Sequence, residues 1–146
     1  MKRIRVRAAV LLHQEETVLL VRHRKGSRTY WLLPGGGVDF GETAPEAARR
    51  EVAEETGLDV EVADLVMASE TIAPDGSRHV LHLVFMASLR GGTLKVGNEE
   101  RLAEARFVPL AELPDLEFHP PIAEFVGALA RGRAPDRRYL GRLWRT

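Results

Sequence analysis

A 23-residue stretch from Gly36 to Leu58, GGVDFGETAPEAARREVAEETGL, places a glycine-rich turn in front of one predicted helix. Three carboxylates lie in the second half of this helix, those of Glu51, Glu54 and Glu55. At about 100° per residue, Glu54 lies about 60° to one side of Glu51 and Glu55 about 40° to the other, so all three share one face. Mg²⁺ prefers oxygen ligands of this kind and commonly holds substrate phosphates at the same time. The stretch therefore predicts a metal site, and a catalytic one.

The same stretch also predicts where its helix begins and ends. Thr43 and Glu46 form a Thr-x-x-Glu capping box, and Pro45 lies in the tolerant first turn. Gly57 suits the left-handed position that ends a helix. Small apolar residues form a stripe suited to close packing against a sheet, namely Ala44, Ala47, Ala48 and Val52. We expect the helix to be held by this stripe and to present its carboxylates beside it.

At every defined position the stretch resembles the signature of the Nudix hydrolases. The matching residues are Gly36, Glu42, Arg50, Glu51, Val52, Glu54, Glu55, Gly57 and Leu58, and we call residues 36–58 the signature segment. The resemblance implies an α/β (α+β) fold, a Nudix-type α/β/α sandwich around a mixed β-sheet, with residues 1–146 as a single domain. It also implies hydrolysis of a pyrophosphate bond in a nucleoside diphosphate linked to another moiety, with Mg²⁺ as the cofactor and Mn²⁺ as a substitute.

The resemblance assigns roles to individual residues of the signature segment. The implied metal ligands are Gly36, through its carbonyl, and Glu51, Glu54 and Glu55. Glu54 is alternatively the general base. Arg50 is expected to orient a catalytic carboxylate, since a guanidinium fork can hold a glutamate in one rotamer, and Glu42 is expected to belong to the same network.

Family members often take a base or an extra metal ligand from a loop outside the signature segment. Here the stretch Val96–Glu104, VGNEERLAE, lies in a matching place. Of its two adjacent glutamates we select Glu100 over Glu99. A solvated acidic turn is the alternative interpretation of both residues.

Two further features are candidates for binding substrate. The basic stretch RHRKGSRT at 22–29 is expected to be a loop whose Arg22, Arg24 and Arg28 meet phosphates, although four cations there also suit a hairpin tip in water. Pro74 stands sixteen residues after Leu58, as in Nudix members that prefer ADP-ribose. Pro74 also opens Pro-Asp-Gly, an ordinary turn. We expect ADP-ribose or a nucleoside diphosphate sugar as the substrate; the alternatives are a nucleoside triphosphate, a dinucleoside polyphosphate, or a non-catalytic nucleotide-sensing role.

Composition narrows the classes of function. Lys plus Arg and Asp plus Glu both total 21 among 146 residues, so net charge supports neither a nucleic-acid partner nor a membrane surface. The chain has no cysteine, which excludes a cysteine nucleophile and argues against the isopentenyl diphosphate isomerases that share the Nudix fold. The apolar run Ala8–Leu12 is too short for a signal peptide or a membrane span, so a cytoplasmic location is expected.

Hydrophobic patterns predict the remaining elements. Strands are expected at 3–12, 18–21, 30–33, 59–72, 79–89 and 105–108, a turn at 34–37, and a second helix at 120–130. Near the C-terminus, Tyr139, Leu140, Leu143 and Trp144 are too apolar to stay in water. They are expected to pack on the domain or on a second subunit, and a homodimer is a hypothesis drawn from the family.

Overall fold

The computed structural model describes residues 2–144, which form nine strands and three helical segments. The strands are β1 (Arg5–Leu11), β2 (His13–Gln14), β3 (Thr17–Lys25), β4 (Arg28–Leu32), β5 (Gly35–Gly37), β6 (Leu58–Ile72), β7 (His79–Gly92), β8 (Leu102–Pro109) and β9 (Tyr139–Arg142). The helices are α1 (Ala44–Thr56), a 3₁₀ helix (Leu110–Asp115) and α2 (Ala123–Ala130).

The strands form two sheets, one of which is mixed. The larger sheet has the order β5-β1-β7-β6-β9, with β1–β7 and β6–β9 parallel and the other pairs antiparallel. In the smaller sheet, β3 pairs with β2, β4 and β8, always antiparallel. The predicted mixed sheet is therefore confirmed.

Strand β1 separates two hydrophobic clusters because its side chains alternate between the two faces of the sheet. Ala8 and Val10 pack in one cluster with Ala47, Ala48 and Val52 of α1. The second cluster contains the next residues along β1, and it also contains buried residues of β3, β8 and α2, including Ala9, Leu11, Val18, Leu20, Val108 and Val126. Helices thus cover both sides of the sheets, which confirms the α/β/α sandwich.

Three sequence expectations about local structure are wrong. Residues 22–29 are not a loop, since Arg22 to Lys25 belong to β3 and Arg28 opens β4, leaving a two-residue tip at 26–27. Residues 34–37, which we call the glycine turn, are not a simple turn, because Gly35–Gly37 form a short strand that pairs with β1. Helix α2 begins at Ala123 rather than Pro120, because a residue that precedes a proline is disfavoured in the helical region and Pro120 and Pro121 follow one another.

The C-terminal segment packs on its own domain. Leu140 is buried in the cluster beside α2, and Leu143 packs against that cluster. Strand β9 pairs with β6. Leu140 and Leu143 therefore find their partners within this chain, whereas Tyr139 stays 53% exposed. Among residues 2–144, no helix is both long and apolar enough to cross a bilayer.

Candidate functional site

Helix α1 is fixed at both ends by local hydrogen bonds. At its start, the Thr43 hydroxyl accepts from the Glu46 N–H at 3.3 Å, and the Glu46 carboxylate accepts from the Thr43 N–H at 2.9 Å. At its end, Gly57 has φ 74° and donates its N–H to the Ala53 carbonyl at 3.0 Å. Glycine adopts this left-handed conformation without steric cost. The predicted capping box and glycine end are both confirmed.

Strand β5 lies directly against the carboxylates of α1. A Cβ atom on Gly36 would be 2.3 Å from Cδ of Glu51 and 2.4 Å from its Oε2, so any other residue at this position would displace the Glu51 carboxylate. The N–H of Gly35 donates to Oε1 of Glu55 at 2.8 Å. The fold thus brings the backbone of the glycine turn against two of the three predicted carboxylates.

Arg50 links the carboxylates of the signature segment. Its Nη2 donates to Oε1 of Glu42 at 2.6 Å and its Nε to Oε2 at 3.1 Å, which is a two-point contact. Its Nη1 donates to Glu51 at 2.9 Å and to Glu54 at 3.3 Å. The hydrogen bonds with Glu42 raise the pKa of Arg50, and the same contact lowers the pKa of Glu42. Arg50 therefore stays charged and holds Glu42 and Glu51 in place.

The negative charge around Glu51 is not fully compensated. Burial raises the pKa of Glu51; the hydrogen bond from Arg50 opposes this, and the charges of Glu54 and Glu55 add to the rise. Glu55 is itself buried, and its Oε2 lies 3.4 Å from Nε2 of His23. Glu54 remains exposed on 57% of its side chain. A cation bound at this face would relieve the repulsion.

The donor chemistry of this face fits a hard divalent cation. Glutamate oxygens and a backbone carbonyl are the ligand types that such ions take, and Gly36 lies in contact with the Glu51 carboxylate. Within residues 2–144, no three Asp, Glu, His or Cys side chains are already arranged around one metal position. Glu51 instead contacts Arg50, and Glu55 contacts Gly35 and His23. Binding a metal would require these carboxylates to exchange some of those contacts.

A cavity of about 370 Å³ opens beside the glycine turn. Glu51, Glu55 and Glu99 contribute carboxylates to its lining. Six cations also line it, namely Arg5, Arg7, Lys25, Arg28, Arg78 and Arg101. Burial lowers the pKa of His82 to about 3 and also lowers that of His119, so these two lining histidines are neutral near pH 7. The cavity therefore has an excess of positive charge and suits a ligand with several negative charges.

The cavity includes some of the predicted site residues and not others. Gly36, Glu51, Glu55 and Arg28 line it. Glu42, Arg50 and Glu54 are joined to Glu51 through the contacts of Arg50. Glu100, Arg22, Arg24 and Pro74 are not part of the lining, and it is Glu99 that reaches the cavity from its loop.

Strand alternation explains which cations of the basic stretch reach the cavity. His23 and Lys25 line it, so Arg22 and Arg24, which alternate with them along β3, face the other side of the sheet. Arg22 there pairs with Glu104 at 3.1 Å. Pro74 lies in the turn between β6 and β7, where the Ala73 N–H donates to the Arg78 carbonyl.

Sequence reasoning missed Arg5 and Arg7 of β1. Both line the cavity, and Nη2 of Arg7 donates to the carbonyls of Leu33 at 2.8 Å and Gly35 at 3.3 Å. The sequence contained a signal for them: arginine occupies every second position at the start of a predicted strand whose later residues are apolar on both faces. Arg7 therefore joins the glycine turn to the cationic side of the cavity.

Residues 2–129 match the family model described as the NUDIX domain. The chain belongs to the NUDIX family. The signature segment lies inside the matched range, and α2 ends one residue beyond it. Strand β9 and Trp144 lie outside that range.

Named relatives and a solved structure agree with this assignment. A Methanocaldococcus jannaschii protein named ADP-ribose pyrophosphatase is 36% identical over 109 residues, which cover 74% of this chain and 63% of that protein. The chain thus spans just under two thirds of that relative's length. An RNA pyrophosphohydrolase from Erythrobacter litoralis is 34% identical over 121 residues, covering 82% of this chain and 71% of that one. The structure of a NUDIX hydrolase from Nitrosomonas europaea shares the fold, with a TM-score of 0.77 and 22% identity over 92% of this chain and 94% of that one.

Proposed function

We propose that this chain is a single-domain enzyme that hydrolyses a pyrophosphate bond in a nucleoside diphosphate linked to another moiety. The observation that carries the proposal is the contact of the glycine turn with the Glu51 and Glu55 carboxylates at the edge of a cationic cavity. Such a site combines groups that could hold a divalent cation with groups that could hold phosphates. NUDIX family members use divalent cations, and we propose Mg²⁺ here, with Mn²⁺ as a substitute.

Glu51, Glu55 and the carbonyl of Gly36 would hold the Mg²⁺, with Glu54 as a further ligand or, alternatively, as the general base. When bound, the ion would neutralise phosphate charge and lower the pKa of a water molecule. Arg50 keeps its positive charge and restrains Glu51 through the 2.9 Å contact of its Nη1. Its two hydrogen bonds to the Glu42 carboxylate fix the orientation of the guanidinium group. We propose Arg50 and Glu42 as positioning residues for the metal-binding carboxylates.

A carboxylate must also take the proton of the attacking water. Glu54 is suited to this role because it shares the helix face with Glu51 and is exposed on 57% of its side chain. Glu99 is the second candidate, since its loop brings it to the cavity whereas Glu100 is not in the lining. The two candidates differ in origin, one on α1 and one outside the signature segment, and single Glu→Gln variants distinguish them.

The cations of the cavity would bind the phosphates. Arg7 is the best placed of them, because its Nη2 is held by the Leu33 and Gly35 carbonyls beside the glycine turn. Burial lowers the pKa of Arg7, and the nearby charges of Glu55 and Glu51 act in the opposite direction because they stabilise its positive charge. A phosphate between Arg7 and α1 would lie where the metal-binding carboxylates face the cavity.

We propose ADP-ribose or a nucleoside diphosphate sugar as the substrate. The support is the relative from Methanocaldococcus jannaschii, whose name specifies ADP-ribose. Pro74, which suggested the same substrate from the sequence, is not in the cavity lining. A polyphosphate end, as on a nucleoside triphosphate, a dinucleoside polyphosphate or RNA, is the second candidate. It is favoured by the Erythrobacter litoralis relative and by the six cations of the lining.

A hydrolysis panel tests this proposal. ADP-ribose, nucleoside diphosphate sugars, nucleoside triphosphates and dinucleoside polyphosphates are incubated with the protein and Mg²⁺, and the products are separated by chromatography. We expect AMP and ribose 5-phosphate from ADP-ribose at the highest kcat/KM. Highest turnover of triphosphates or dinucleotides would keep the reaction class and reject the substrate, and no turnover of any compound would favour a nucleotide-sensing role.

Glutamate variants connect the activity to the site. Glu51→Gln and Glu55→Gln are expected to lower kcat at least about 100-fold, in the range that positioned acid–base and metal-binding groups contribute. Glu61→Gln is the matched control, because Glu61 is exposed and contacts Arg90 at 3.7 Å, outside the cavity lining. Unchanged turnover in both site variants would reject the catalytic assignment.

The cytoplasmic location and the homodimer stay predictions. Sedimentation at micromolar concentration tests the homodimer.

A further inference from the structure

Four rings that line the cavity form a row, and the first of them lies beside Glu55. Nε2 of His23 lies 3.4 Å from Oε2 of Glu55. The ring centroids of His23 and Tyr30 are 5.9 Å apart, those of Tyr30 and His119 5.7 Å, and those of His119 and Trp144 5.5 Å. All four rings line the cavity and are half-buried. An aromatic surface therefore leads from the metal-binding helix to the C-terminal segment.

The last ring of this row is held by a well-anchored backbone. The Leu143 N–H donates to the Glu70 carbonyl at 2.7 Å, next to Trp144 in the chain. The Tyr139 hydroxyl donates to Oε2 of Glu70 at 2.5 Å, and Leu140 is buried in the core. These contacts fix both ends of the segment 139–144, which lies beyond the residues that match the NUDIX family. The placement of Trp144 is thus a property of this chain's own C-terminal segment.

The cavity also contains two kinds of chemistry. Arg7 is tied to the glycine turn, close to the carboxylates of α1. His119 and Trp144 form the end of the ring row that is farther from Glu55 along the row. Burial lowers the pKa of His119, and the charges of four lining cations act in the same direction, namely Arg78, Arg28, Arg7 and Lys25. A ligand that carries both several negative charges and a flat π-surface matches the cations and the rings together. Nucleotides have this chemistry, whereas a sugar diphosphate without a base matches only the cations.

We propose that the segment 139–144 completes a subsite for the nucleobase, in which Trp144 contacts the base together with His119 and Tyr30. The proposal rests on the proposed function, because it extends the same cavity from the phosphates to the base. Trp144 is then a specificity-determining residue: it selects nucleotides over phosphorylated sugars without touching the bond that is cleaved.

Binding without turnover gives the first test. The chain has two tryptophans; Trp31 is 8% exposed in the core, and Trp144 lines the cavity. Titration with AMP, in the absence of metal, is expected to change the tryptophan emission in a saturable way, and ribose 5-phosphate is expected to leave it unchanged. Trp144→Phe should abolish the emission change while keeping AMP affinity, measured by calorimetry, within about three-fold. Trp144→Ala should weaken AMP binding about ten-fold, in line with the typical contribution of one base–aromatic stack.

Kinetics give the second test. Trp144→Ala is expected to raise KM for ADP-ribose about ten-fold with kcat changed less than two-fold. Trp144→Phe, which keeps an aromatic ring, is expected to have the KM of the wild type. Phosphoribosyl pyrophosphate, which carries a pyrophosphate and no base, should show no change in KM if it is turned over. Leu89→Ala is the control, since Leu89 is an exposed apolar residue of β7 outside the cavity lining. An equal rise in KM for ADP-ribose and the base-free compound would overturn the assignment to the base.

The two proposals fail in distinguishable ways. If AMP changes the emission of Trp144 and no compound in the panel is hydrolysed, the base subsite stands and the enzymatic function is rejected. If ADP-ribose is hydrolysed and Trp144→Ala leaves both AMP affinity and KM unchanged, the enzymatic function stands and the base subsite is rejected.

Discussion

Gly97, in the loop between β7 and β8, packs directly on the end of helix α1. A Cβ atom at this position would be 2.1 Å from the Glu54 carbonyl oxygen and 3.2 Å from Cα of Glu55. The Gly97 N–H donates to the Glu55 carbonyl at 3.0 Å, and the Lys95 N–H donates to the Thr56 carbonyl at 2.8 Å. The loop thus satisfies two carbonyls that the helix leaves without an internal partner at its C-terminus. The same loop carries Glu99 to the cavity.

We predict that Gly97→Ala separates this loop from the helix. The methyl group would meet backbone atoms, which cannot move aside as a flexible side chain can, so the loop must shift by more than about 1 Å to reach ordinary contact distance. Two hydrogen bonds at about 1 kcal/mol each would weaken. The expected loss in free energy of unfolding is therefore about 2 kcal/mol, which corresponds to a fall in Tm of roughly 4–10 °C for a chain of this size.

Thermal and urea unfolding measure this loss, and Gly91→Ala is the matched control. A Cβ atom on Gly91 would have no neighbour within 4 Å, so this variant should unfold like the wild type. If Glu99 acts in the reaction, Gly97→Ala should also lower kcat for the best substrate, because Glu99 would move with the loop. The reasoning is refuted if Gly97→Ala and Gly91→Ala unfold at the same temperature and urea concentration.

Three further predictions concern the site and the core. Gly36→Ala places a methyl group 2.3 Å from Cδ of Glu51 and should lower kcat about 100-fold through displacement of that carboxylate, with circular dichroism unchanged; wild-type kcat would contradict the close contact. Arg50→Lys keeps the charge but loses the planar fork, and should lower kcat about 10–100-fold; kinetics against Arg49→Lys as the control measure this. Burial lowers the pKa of His82 to about 3, so the unfolded chain binds a proton that the folded chain does not, and stability falls as pH drops below about 6.5. Between pH 7.5 and 5 this should remove about 2 kcal/mol from the free energy of unfolding. Urea unfolding at both pH values should show that His82→Gln reduces this pH dependence, and an unchanged pH dependence in the variant would reject the assignment to His82.

The signature segment was predictable from the sequence because its structural signals are local. The capping box of Thr43 and Glu46 and the left-handed Gly57 involve residues within one or two turns, so their chemistry acts wherever the segment is placed. The shared face of Glu51, Glu54 and Glu55 likewise follows from the helical repeat alone. Their role in binding metal stays a prediction.

The basic stretch shows where local signals failed. Its charges favoured a loop, but residues 22–25 pair with β4 in a hairpin, and β8 pairs with β3 on the other side as far as His23, so these residues form a strand. Once they are a strand, alternation sends Lys25 to the cavity and Arg24 to the opposite face. Which of Glu99 and Glu100 reaches the cavity depends in the same way on how the loop docks on α1 through Gly97.

The sequence by itself determined the helix that presents the carboxylates, its two ends and the family to which the chain belongs, because those features are encoded within 23 consecutive residues. Only the tertiary structure decided what faces that helix. Arg7 of β1 reaches the cavity beside His82 of β7 because the two strands pair in parallel. Trp144 reaches it because β9 pairs with β6. Pairings between residues so far apart in the chain are set by packing of the whole domain, and no local pattern contains them.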